Sequence, residues 1–334
     1  LFGDGYLNQE EANTGAQITG STGQAGPNQQ VRIVIDGLQE FVGTVDVNGN
    51  WTVPLTPQQL NAFTDATHTM TVIVTDRAGN VATSPAQNFT VRTDALTPPT
   101  LDTAFTDGFL SAAETLTDSA LTGSTGVPAG QVGSVLVSIN SGPALVATVT
   151  GATWTLPLTA AQLQALPDGV LNVNITVTDI AGNQISGQGS FEAIVDALPQ
   201  AQFVTPFGDG TLNFTESQSD QVLRGNTGVT GPGQTVSVTL STGQIYNGPV
   251  QENGDWIITL PAADLQNLAN NTTPTFEVTV RDRAGNTDTD PGSFQVRTAL
   301  PEPIANNLFG DNILNINEAA GAAQITGSTQ VLGP

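Results

Sequence analysis

The chain has 334 residues, with thirty acidic side chains against seven basic ones, a formal charge of −23 and no cysteine. This charge excludes a nucleic-acid partner or an anionic membrane surface, since both require a basic patch, and the cysteine count excludes disulfide support. No apolar run is long enough to cross a bilayer, so direct membrane insertion is not expected.

In chain order, the first residues read LFGDGYLNQEE (1–11), followed by AQITGST (16–22), a short strand closed by a Gly-Ser-Thr turn. VRIVI (31–35) alternates apolar and polar side chains, the pattern of a half-buried strand. FVGTVDVNGNWTVPL predicts two strands around Asn48–Gly49, a pair suited to a tight hairpin. After Trp51 comes the one helical signal, LTPQQLNAF (55–63), with Thr56 as N-cap and Pro57 in the first turn. TMTVIVTD (69–76) returns as a strand, turns at AGN, and closes with NFTVRT (88–93). His68, the only histidine, reads as incidental, and the tryptophans as core.

This pattern then repeats. The aspartate of the GDG-type motif falls at Asp4, Asp107, Asp209 and Asp311, in steps of 103, 102 and 102, and Glu11, Glu114, Glu216 and Glu318 keep the same steps. Trp51, Trp154 and Trp256 follow suit, as do the D-x-A-G-N motifs at Asp76–Asn80, Asp179–Asn183 and Asp282–Asn286. Residues 308–334 align without a gap to residues 1–27, so the chain reads as a piece of a longer array. The expected fold is all-β: tandem immunoglobulin-like β-sandwich domains, each with one short helical crossover. The expected domains are 1–96, 97–198 and 199–300, with 301–334 the start of a truncated fourth. That last piece is too short for a core, and Asp311 and Glu318 are expected to reach back to the third domain.

The linker aspartate, the D-G-x-L-N opening, ITGST, NGxW, the L-x-x-x-L crossover and VTDxAGN resemble the tandem bacterial immunoglobulin-like repeats of large secreted adhesins, including biofilm-associated and repeats-in-toxin adhesins. The resemblance covers all three repeats and the fragment. It implies a structural extender on the bacterial cell surface, outside the cell, supporting cell adhesion or biofilm formation. Its implied partners are the neighbouring repeats of the same chain, with calcium at the joints stiffening it; the ligand of the parent adhesin is not encoded here.

The residues support calcium separately. Calcium takes six to eight oxygen ligands, and acids flank each proline-bearing connector. Asp76, Asp94, Asp107 and Glu114 form the set expected at the first joint, and Asp179, Asp196, Asp209 and Glu216 at the second. At the third, Thr298 stands at the linker position, leaving Asp282, Asp311 and Glu318, with Glu302 as a substitute, and weaker binding is expected. Affinities on the order of 0.1–1 mM are expected for extracellular modules. The structural alternative is that Asp-Gly and D-x-x-G-N are ordinary turn sequences. No enzyme is expected: there is no cysteine, repeated histidine or G-x-S-x-G serine, and the recurring acids sit at joints. The alternative function is that the repeats themselves bind a carbohydrate or protein ligand.

Overall fold

A computed structural model of the chain describes residues 2–322 and 324–330. Contacts divide it into two units, residues 1–110 with 114–193, and residues 111–113 with 194–334. The first repeat contains β1 (Tyr6–Asn8), α1 (Gln9–Thr14), β2 (Ala16–Ser21), β3 (Gln30–Ile35), β4 (Gln39–Val45), β5 (Asn50–Leu55), α2 (Pro57–Leu60), β6 (Thr67–Thr75), β7 (Val81–Thr83) and β8 (Gln87–Arg92). One sheet runs β1-β8-β6-β3-β4 and continues through β4 into β5 and β2. β4 turns the corner, pairing with β3 over Gln39–Gly43 and with β5 at Thr44 and Val45. One strand thus serves two layers, as in sandwiches whose edge strands bend between sheets.

Alternation places Val31, Ile33, Ile35, Val53, Leu55, Met70, Phe89 and Val91 inward, where they are buried with Trp51, Leu60 and Phe63. Each such side chain contributes roughly 1.5–3 kcal/mol. The crossover helix forms as expected: Thr56 accepts from the Gln59 amide, Gln59 returns a bond to the Thr56 amide, and Pro57 fills the first turn. A second short helix, α1, is an addition to that expectation. Asn8 caps it and Glu11 closes the capping box, and the same box recurs at Asn213 with Glu216 and at Asn315 with Glu318.

The second repeat keeps the plan with β4 broken into Leu145–Val146 and Thr148–Thr150, giving one sheet of three strands and one of five. The connector ahead of it is not a free linker. Thr100 and Asp102 donate their amides to Ser124 and Thr122, and Trp154 Nε1 donates to the Thr100 carbonyl at 3.0 Å. Residues 100–102 therefore lie along an edge of the repeat they precede, while Thr93 and Asp94 donate their amides to the Asp65 carboxylate of the repeat they follow. In the third repeat the equivalent Gln202–Phe203 is a paired strand.

The glycine of ITGST is also not a turn residue. Gly20 lies inside β2, and a Cβ there would meet Trp51 Cζ2 at 2.4 Å; Gly225 stands in the same relation to Trp256. The missing side chain makes room for the indole. In residues 301–330, Ile304–Ala305 pairs with Gly327–Ser328, and none of the described side chains is buried.

Candidate functional site

The joints are built around the D-x-x-G-N loop. In the first repeat, Asp76 Oδ1 accepts from the amides of Ala78 and Asn80, and Oδ2 from Asn80 Nδ2 at 2.7 Å. The Asp76 amide donates to the Asn80 carbonyl, and the Gly79 amide to the Asp76 carbonyl. Gly79 has φ +87°, a conformation that favours glycine. The Asn80 side-chain and backbone donors hold the Asp76 carboxyl below the usual aspartate range. Asp46–Asn50 (DVNGN) makes the same bonds with the same geometry. That loop is the β4–β5 hairpin turn, so this sequence closes itself without any neighbouring domain.

At the joint between the first and second repeats, the loop Asp179–Asn183 meets the end of the preceding repeat. Asn183 Oδ1 accepts the Gln9 amide at 2.9 Å, and Asn183 Nδ2 donates to the Arg92 carbonyl at 2.9 Å. Arg92 in turn donates from Nε to Asp179 Oδ2 at 3.0 Å and from a terminal nitrogen to Gln131 at 2.6 Å. The Asp179 side chain is fully buried and that of Arg92 is 15% exposed. Within the second unit the pattern recurs. Asn286 Oδ1 accepts the Ala112 amide at 2.9 Å and Nδ2 donates to the Ile194 carbonyl at 2.8 Å. One asparagine thus grips a backbone donor and a backbone acceptor of the preceding repeat, and neither grip depends on the side chains there.

The expected calcium sets are not brought together. β6 runs antiparallel to β8, with Thr67 opposite Thr90, so Asp76 closes the far end of β6 while Asp94 follows the exit of β8. The nine residues of β6 put them roughly 30 Å apart at about 3.4 Å per residue. Asp179 and Asp196 are separated in the same way, since Gly169 pairs with Ala193. Asp107, Asp209 and Asp311 accept from the amides two residues on, at Phe109, Thr211 and Ile313. Glu216 and Glu318 close capping boxes, Glu114 opens a short 3₁₀ turn, and Asp282 accepts from Asn286. Asp94 and Asp196 are exposed. The bonds Asp311 and Glu318 make are local, in place of the expected reach to the third domain. Among the described residues, no three acidic or histidine side chains converge on a point that could hold a metal ion.

Asn183, Asn286 and Arg92 were not singled out by sequence. The signal for the asparagines is their fixed place in D-x-A-G-N, and that for Glu11 and Glu216 is the N-x-x-E capping pattern.

Comparison with curated proteins gives no match. The chain is similar to a segment of a 1.5-MDa bacterial ice-binding adhesin at 25% identity, covering 89% of this chain and 95% of the other, with a TM-score of 0.41. A Ca2+-stabilized adhesin with which an Antarctic bacterium binds ice is 26% identical over 96% of this chain and 79% of its own, with a TM-score of 0.38. An immunoglobulin-like domain of the M. primoryensis ice-binding adhesin is 25% identical over 30% of this chain and 99% of its own, with a TM-score of 0.24. Residues 12–93 match the model of the bacterial Ig-like domain family, and the two repeats that follow carry the same motifs in the same order.

Proposed function

We propose that the chain is a structural extender of a bacterial cell-surface adhesin, exposed outside the cell, whose repeats space a distal binding element from the surface in adhesion or biofilm formation. The observation that carries this reading is the asparagine grip, made twice and only to backbone groups of the preceding repeat. Such a link suits any neighbour of the same fold, which is what a tandem spacer needs. The motif order and the bacterial Ig-like domain family matched over residues 12–93 support this reading. Domains of 1–96, 97–198 and 199–300 belong to the same proposal.

Calcium enters only as a weakly held ion of the exposed acidic surface, supported by the net charge of −23. The reading that the repeats bind a ligand themselves lacks an aromatic platform, because Trp51, Trp154 and Trp256 are 7%, 0% and 1% exposed. The extender reading is tested by displaying an epitope on a bacterial surface beyond one, two or three repeats. Capture by antibody-coated beads is expected to rise with each repeat added. Saturable binding of a soluble saccharide or protein to the repeats, with capture independent of their number, would overturn it.

A further inference from the structure

The expected calcium ligand Asp179 has no capacity left for a metal. A carboxylate offers about four lone-pair positions, and here all four accept hydrogen bonds. Oδ1 takes the amides of Ala181 and Asn183, both at 2.9 Å, and Oδ2 takes Asn183 Nδ2 and Arg92 Nε, both at 3.0 Å. The bond from Arg92 crosses the joint, in a site from which the Asp179 side chain is wholly excluded from solvent. Asp76, in the same loop of the first repeat, accepts three bonds from within its own loop among the described residues. Asp179 accepts the same three and a fourth, which the preceding repeat supplies from a guanidinium.

We propose that the first joint is locked by the protein's own cation, Arg92, and stays closed without calcium. Salt screens such a desolvated pair far less than an exposed one, and a planar guanidinium held also by Gln131 fixes direction as a bound ion would. Arginine placement follows the joints. Four of the seven arginines, Arg77, Arg92, Arg283 and Arg297, stand at two positions of the repeat, directly after the loop aspartate or at the end of the last strand. The second repeat has isoleucine at both, Ile180 and Ile194. By position, each joint is therefore allotted one arginine: the first from the strand end of the preceding repeat, the second, Arg283, from the loop of the following one. The lock works in any setting, adhesive or not, so its failure would leave the extender reading standing.

The test is double electron–electron resonance across the first joint in the full chain. The sequence has no cysteine, so nitroxides at Val42→Cys and Val146→Cys, 72% and 73% exposed, report only that joint. The distance distribution is expected to be narrow and superimposable in millimolar calcium and in excess chelator. Arg92→Ala is expected to broaden it at least twofold in both conditions, and Arg92→Lys to restore part of the narrowing. A wild-type distribution that is narrow only with calcium would overturn the lock whatever the variants do. Arg92→Ala matching wild type in chelator would overturn it equally, with near-UV circular dichroism of the tryptophans confirming that the variant is folded.

Discussion

His68 has no counterpart in the other repeats, yet it is buried and fully bonded. Nδ1 lies 2.6 Å from Asp36 Oδ2 and Nε2 2.9 Å from the Thr64 carbonyl, and the ring stacks on Phe89 and tilts against Phe63. Burial opposes its protonation, but the Thr64 carbonyl and the Asp36 carboxylate outweigh it and raise the His68 pKa. The Thr69 amide, followed by His68, lowers that of Asp36. A raised histidine stabilises fully below its unfolded pKa, about 6.5, and that contribution is lost as pH rises through the folded value. The lowered aspartate stabilises above its unfolded pKa, about 4, and is lost as pH falls through its own folded value. The pair therefore helps most between about pH 4 and 6.5. Melting of the first repeat is expected to fall from about pH 6 to about pH 8, and His68→Gln to flatten that fall while the other two repeats serve as internal controls. A second prediction concerns volume: Gly20→Ala forces a methyl into Trp51 and should cost the first repeat about 1–3 kcal/mol in urea unfolding.

For elements, the joint asparagines carry the most. Asn183→Ala removes the bonds to the exposed Gln9 amide and the part-buried Arg92 carbonyl, a loss of about 0.5–1.5 kcal/mol for each bond at most. Hydrogen exchange at the Gln9 amide should accelerate in proportion, whereas Asn80→Ala should leave it unchanged; equal effects would place the grip elsewhere. Much of this scale was legible in the sequence. The alternation of VRIVI and TMTVIVT, the Thr56 cap and the period itself all carried through, because each is a local signal that the sandwich reinforces. The calcium sets did not come together, and the reason is antiparallel pairing. A loop joining two adjacent antiparallel strands lies at the opposite end of the sheet from the exit of the second strand, so Asp76 and Asp94 could not meet. The role of Arg92 was hidden for a different reason: it depends on which end of one repeat faces which end of the next. Gly20 reads as a turn residue until the indole that needs its space is known.

For the whole molecule, the pairing of first and last strands sets the response to load. β1 lies parallel to β8, Tyr6 opposite Thr90 and Asn8 opposite Arg92, and Thr211–Asn213 lies parallel to Gln295–Arg297 in the third repeat. Tension that draws the start of a first strand away from the end of a last strand slides the two past each other, so the bonds between them must fail together. Handles at Tyr6 and Gln87, which sit at the same end of the pair, would part the bonds one at a time. In atomic-force pulling with engineered cysteines, attachment at Tyr6 and Arg92 should therefore rupture at several times the force needed from Tyr6 and Gln87, and similar forces from both would refute the idea. A chain tethered at one end and dragged at the other meets tension in the first of these two geometries, so parallel closure makes the first and third repeats shear clamps against flow.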